Sequence, residues 1–163
     1  MRPGKIISGG QTGVDRAALA FAASAGIPFG GWAPKGWKAE DGTIPEEYRE
    51  RMREHSSADY IERTHANIDG SDATLIVYRR DLLDKNCKFT GGTLRTARWA
   101  SMRTIPLGWV FLDDGPKAIR DARAFVDNLT DEFLCCLNIA GPRESKAPGI
   151  YAATLALLRE VWP

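Results

Sequence analysis

The six residues ATLIVY at 73–78 carry no charge and show no polar–apolar alternation. A strand with one wet face alternates, whereas a strand without alternation is covered on both faces. That arrangement belongs to a parallel sheet packed between helices. The rest of the chain fits around such a strand.

Residues 5–8 form a short apolar strand, which SGGQTG interrupts. Apolar residues then recur at Val14, Ala17, Ala18, Phe21, Ala22 and Ala25. This spacing marks one face of a helix, and Gly26 supplies its stop. Residues 28–33 read as a second strand, softened by glycine. The stretch 34–59 is polar and irregular, with a short helix beginning after Pro45. Residues 60–67 form the end of a crossover helix that leads into 73–78. A charged loop, 79–90, ends at Gly91-Gly92-Thr93, which opens a helix running to about Met102. Residues 105–112 form a fourth strand. The next helix presents Ala118, Ala122, Phe125, Val126 and Leu129 on one face. Residues 133–140 are the fifth strand, followed by GPRESKAPG. The last helix has Pro148 near its first turn and an apolar face at Ile150, Ala153, Thr154, Leu157, Leu158 and Val161.

Five strand–helix alternations predict an α/β fold. The expected form is a Rossmann-like three-layer sandwich, a mostly parallel sheet of about five strands in the order 3-2-1-4-5 with helices on both faces. The 163 residues suit one domain, 1–163, and 44% hydrophobic residues suffice for its core.

In such a sheet ligands bind beyond the carboxyl ends of the strands, at the point where strand order reverses. Here that point is expected between the first and fourth strands. Gly9, Gly10 and Gly13 let the backbone approach an anion, the following helix start offers unpaired N–H groups, and Gln11 and Thr12 lie between them. The same loop would also serve as a tight turn without ligand. Gly91, Gly92 and Thr93 form a second such opening. Arg16, Lys35, Lys38, Arg79, Arg80, Lys85, Lys88, Arg143 and Lys146 all fall in segments at this edge. The connection at 128–132, at the opposite edge, is neutral or acidic. Asp15, Glu40, Asp41 and Glu144 are the carboxylates of the ligand edge, suited to ribose hydroxyls, to a metal on phosphate, or to acid–base work. Asp15 equally suits a first-turn carboxylate that complements the helix dipole. Ser145 completes the run Arg143 to Lys146. Trp32, Trp37 and Trp99 are able to stack a ring, although packing is the commoner use of tryptophan.

Composition narrows the partners. The net charge of +1 gives no general attraction to nucleic acid or to an acidic membrane. Cys87, Cys135 and Cys136 are an odd set without regular spacing, and His55 and His65 stand apart on polar ground. Neither group suggests a disulfide framework or a structural metal. No signal-peptide pattern is present, and no apolar run approaches the ~20 residues of a membrane helix. A cytoplasmic protein is expected, working as a homo-oligomer, a dimer or tetramer. Its partner is expected to be an anionic small molecule rather than nucleic acid or membrane.

The segments SGGQTGVDRAAL, GGWAPKGWKAEDGTIP, RTHANIDGSDATLIV, TGGTLRTARWA and LNIAGPRESKAPGIY occur in that order along nearly the whole chain. Together they resemble the "putative molybdenum carrier" family, within the Rossmann-like SLOG superfamily of LOG proteins and DNA-processing protein A. The resemblance implies a nucleotide or molybdenum cofactor as ligand, held by the loops Gly9 to Gly13, Gly91 to Thr93 and Arg143 to Lys146. The hydrolase branch carries PGG-x-GT-x-EE. Here the corresponding stretch is TGGTLRTA, with Arg95 after Thr93 and no glutamate. Three functions are left: a carrier or sensor of a phosphorylated heterocycle; a nucleotide hydrolase using Asp15 or Glu144; or a structural or regulatory subunit without ligand.

Overall fold

The computed structural model describes residues 2–129 and 136–163. Its central sheet has five strands: β1 (Lys5–Ile7), β2 (Phe29–Gly30), β3 (Ala73–Tyr78), β4 (Leu107–Phe111) and β5 (Cys136–Ala140). All pairings within it are parallel. The helices are α1 (Val14–Ser24), α2 (Glu46–Arg49), α3 (Tyr60–Asp69), α4 (Gly91–Met102), α5 (Pro116–Asp127) and α6 (Ile150–Val161). Helices α1, α6 and α5 pack side by side as one layer, and α3 and α4 pair in another. Between them β3 is buried at all six residues, as its unalternating sequence requires.

The α/β Rossmann-like class holds, but the strand order 3-2-1-4-5 does not. The observed order is β2-β1-β5-β3-β4. The C-terminal strand is inserted between β1 and β3, pairing Ile7 with Asn138 on one side and Thr74 with Asn138 on the other. Burial explains the exchange. Leu137, Asn138 and Ile139 are all buried, whereas Leu107, Trp109 and Phe111 of β4 alternate with buried neighbours. A half-covered strand suits the edge, and a fully covered one must be central. Asn138 is tolerated there because its amide donates to Thr74 Oγ1 at 3.2 Å. The reversal point therefore lies at β1, β5 and β3, not between the first and fourth strands. Of the predicted fifth strand, residues 133–135 lie outside the described residues, as does Cys135.

Two local departures matter for the cleft. The predicted strand 28–33 breaks at Gly31, whose φ is 135°. Beyond it, Trp32–Ala33 pairs in parallel with Arg53–Glu54. The stretch 34–59 is ordered rather than irregular. It holds a tight hairpin, Lys38–Ala39 against Gly42–Thr43, and the short helix α2. Ile44, Tyr48 and Met52 anchor it by burying one side. At the end of α1, Ile27 N–H bonds Ala22 O at 2.9 Å and Gly26 N–H bonds Ala23 O, a Schellman stop with Gly26 at φ 66°.

A Cβ at Gly31 would overlap the Ser8 carbonyl oxygen and press on Asn67 Oδ1, in addition to its strained φ. A Cβ at Gly26 meets no atom within 4 Å. Gly31→Ala is expected to lower stability by roughly 3 kcal/mol in urea unfolding, and Gly26→Ala by about 1 kcal/mol from φ alone. Equal losses would contradict the close approach of 31 to β1.

Candidate functional site

The carboxyl ends of β1, β5 and β3 open into a cleft of about 540 Å³. Because β5 is central, the loop that follows it stands in the middle of this edge, between the loop after β1 and the start of α4. Gly9, Gln11 and Asp15 line the cleft from the first loop, Thr90 to Thr93 from the α4 start, and Gly141 to Arg143 with Lys146 from the loop after β5. Helix α3 supplies a fourth wall.

The glycines of the first loop serve close packing. A Cβ at Gly13, where φ is 77°, would overlap the Pro142 carbonyl oxygen. That carbonyl accepts the Val14 N–H at 3.2 Å, so the start of α1 is turned toward protein rather than toward the cleft. Gly10 meets Ile44 and Met52 in the same way. A Cβ at Gly9 would overlap the Arg63 guanidinium, which lies directly on this backbone. Arg63 is fixed there by Asp15, Nη1 to Oδ2 at 3.1 Å. Burial pushes the Asp15 carboxyl above its ordinary value, and the Arg63 charge and hydrogen bond pull against that rise.

The two loops are held together by Glu40. Its carboxylate accepts from Thr12 Oγ1, from Ser145 Oγ and from Ser145 N–H at 3.0 Å, with Arg143 Nε at 3.8 Å. Glu144 N–H donates to Thr12 Oγ1 at 3.2 Å. Gln11 Oε1 accepts from Thr12 N–H and Glu40 N–H, at 3.0 and 2.9 Å. Burial would raise the Glu40 carboxyl, but the hydrogen bonds from Ser145 and Thr12 outweigh it and hold the group below its ordinary range.

The site residues expected from sequence thus divide. Gly9, Gln11, Asp15, Gly91, Gly92, Thr93, Arg143 and Lys146 line the cleft. Gly10, Thr12, Gly13, Glu144 and Ser145 sit behind it in the loop-to-loop contacts. Glu144 turns both carboxylate oxygens to the start of α6, accepting from Gly149 N–H and Tyr151 N–H. Arg16 pairs with Asp41 and donates to Gly10 O, and Lys35 is exposed outside the cleft. Arg79 pairs with Asp81 and Arg80 with Asp114. Of the nine loop cations, Arg143 and Lys146 reach the cleft. Arg63 and Arg95 reach it from helices, and the charge count over loops missed both. The RTHAN run held the signal for Arg63. Tyr60, Arg63, Thr64 and Asn67 recur at helical spacing on one polar face, and that face turns inward.

The start of α4 differs from that of α1. Neither start has a side-chain cap, but a Cβ at Gly13 would overlap Pro142 O, whereas one at Gly91 or Gly92 meets open space. Gly91, Gly92 and Thr93 line the cleft, so the first turn of α4, with its intrahelically unpaired N–H groups and the positive end of the dipole, forms part of the cleft wall. Four cations, Arg63, Arg95, Arg143 and Lys146, line the cleft against two carboxylates, Asp15 and Asp59. Asp15 holds Arg63, and Asp59 caps α3 by accepting from Ile61 N–H at 2.8 Å. Among the described residues Arg95 and Lys146 have no ion-pair partner. No group of three metal-ligating side chains is present among the described residues, and no helix there is long and apolar enough to cross a membrane.

Because the Glu40 carboxyl titrates below its unfolded value of 4.5, it stabilises the fold above that pH. The contribution is lost as pH falls through the depressed value. Glu40→Gln should show a shallower fall in Tm than wild type between about pH 5 and about pH 3. Parallel curves would contradict the clamp.

No curated protein matches the chain. A crystal structure from Syntrophus aciditrophicus, described as a putative molybdenum carrier protein, matches with a TM-score of 0.83 and 40% identity. The match covers 99% of this chain and 96% of that one. A family model described as "Circularly permutated YpsA SLOG family" matches residues 6–162. The topology gives the permutation a physical form: counting β5 as the first strand turns the observed order into 3-2-1-4-5, and Arg2 and Pro163 line one surface depression. The chain belongs to the circularly permutated YpsA SLOG family.

Proposed function

We propose that this protein binds a phosphorylated heterocyclic small molecule, a nucleotide or the molybdenum cofactor, and serves in the cytoplasm as its carrier or sensor. The observation that carries this reading is the cleft's unbalanced charge around the uncapped start of α4. The N–H groups of Gly91 to Thr93 would receive the phosphate, with Arg95, Arg143 and Lys146 neutralising it and Arg63 held ready by Asp15. The first loop becomes a wall of the site rather than its cradle, since Arg63 covers Gly9 and Pro142 takes the Val14 N–H.

The residues fit the phosphate end of the molybdenum cofactor. With no cluster of His, Cys, Asp or Glu among the described residues to take the metal, molybdenum would stay on the cofactor's own sulfur atoms. The similar structure described as a putative molybdenum carrier protein supports this choice of cargo. One observation favours a second reading: Asp15 is buried in the cleft with a raised pKa, as a proton donor would be. A nucleotide hydrolase using Asp15 would release free base or phosphate, whereas the carrier binds without turnover.

Thermal shift with the molybdenum cofactor and a panel of nucleotides tests the reading. Ligand at a hundred times its Kd should stabilise wild type by about 2.7 kcal/mol. The Arg143→Ala/Lys146→Ala double variant should weaken binding at least ~10-fold, since each charge-assisted contact contributes about 1.5–3 kcal/mol. Absence of stabilisation by every phosphorylated ligand would contradict it.

A further inference from the structure

His65 lines the cleft from α3. Its imidazole lies flat on the Trp99 indole of α4, with ring centroids 3.6 Å apart and planes inclined by 11°. Trp99 is itself fixed. Its Nε1–H donates to Asp69 Oδ1 at 2.9 Å, and Arg103, paired with the same carboxylate at 3.0 Å, places its guanidinium 5.0 Å from the indole centroid. One face of the imidazole is therefore covered by an indole that is itself held by a hydrogen bond to Asp69. Among the described residues the ring nitrogens of His65 have no hydrogen-bond partner. The other histidine is engaged: His55 Nδ1 accepts from Ser57 N–H at 3.1 Å, and its ring meets Trp32 edge-on. A half-buried, pre-stacked ring at the wall of a cationic cleft has a use that packing does not require.

We propose that His65 is the platform for the heterocycle of the bound ligand, which extends the Trp99–His65 stack while its phosphate lies at the start of α4. The class of ligand this selects is a planar aromatic heterocycle, a purine or a pterin, joined to a phosphate. The assignment rests on the phosphate-binding reading above. A platform already assembled without ligand favours ring binding because less has to be ordered on association. Stacking tolerates several ring types because every base offers a π-face.

Calorimetric titration with AMP, GMP and ribose 5-phosphate separates ring from phosphate, using wild type, His65→Ala and His65→Phe. Wild type should bind at least one purine monophosphate about tenfold or more tightly than ribose 5-phosphate. His65→Ala should remove that preference and leave ribose 5-phosphate affinity unchanged, and His65→Phe should restore it. Unchanged Tm values confirm that both variants fold. A preference that survives His65→Ala, an equal loss for all three ligands, or equal wild-type affinity for all three overturns the platform and leaves the phosphate reading standing. Binding of none of them overturns the platform, and the phosphate reading falls with it only when the molybdenum cofactor and the nucleotide panel also fail to stabilise the protein.

Discussion

Strand β5 pairs in parallel with β1 on one side and β3 on the other, and the cleft depends on that double pairing. The insertion carries residues 141–149 to the centre of the ligand edge. Gly141 makes the fit possible, because a Cβ there would overlap the Val77 carbonyl oxygen and press on Val14. Ser8 Oγ adds a hydrogen bond to Ile139 O at 2.7 Å, tying β1 to β5 where the strands end. Once the loop is central, Pro142 can occupy the start of α1, Glu40 can join Thr12 to Ser145, and Arg143 and Lys146 can reach the cleft.

The same constraint reassigns the two glycine-rich loops. Near the N-terminus, glycine is needed because three other segments approach the backbone: Arg63 at Gly9, Ile44 and Met52 at Gly10, and Pro142 at Gly13. At Gly91 and Gly92 no atom lies within 4 Å of where a Cβ would stand, and the φ of 60° at Gly91 itself favours glycine. Two stretches that look alike in sequence are therefore placed differently, one packed against other segments and one open at the cleft, and the proposed phosphate site uses the open one. The Asp15–Arg63 pair belongs to the packing of the first loop, and in the proposed function it also holds Arg63 at the cleft. A buried carboxylate is costly without a partner, and a guanidinium held by one is oriented before any ligand arrives.

Local patterns were legible where a single physical requirement dictated them. The run ATLIVY read as a strand covered on both faces, and the α1 series with Gly26 read as a helix with its stop. Strand order was not legible, because parallel strands of similar composition fill a sheet by long-range packing. Neither LGWVF nor LNIA alternates polar with apolar residues, so the half-covered state of β4 and the full burial of Leu137 to Ile139 appear only in the packed sheet. The inward polar face of α3 was also missed. Tyr60, Arg63, Thr64 and Asn67 resemble a solvated helix face until the helix is seen against the cleft. Asn67 illustrates the difficulty: its amide mimics a ladder partner, accepting from Trp32 N–H at 2.7 Å and donating to Trp32 O at 3.0 Å. Nothing local in sequence announces that pairing. Loop cations misled in the opposite direction, since Arg16, Arg79 and Arg80 are spent on nearby carboxylates.

The proposed anion site lies at the start of α4 and not at that of α1. A crystal structure with a bound nucleoside monophosphate or molybdenum cofactor measures this directly. The account predicts phosphate oxygens about 3 Å from the Gly92 and Thr93 amide nitrogens, with Arg63 still on Gly9. A phosphate seated instead on the amides of Gly10 to Gly13, with Arg63 and Pro142 displaced, would contradict it.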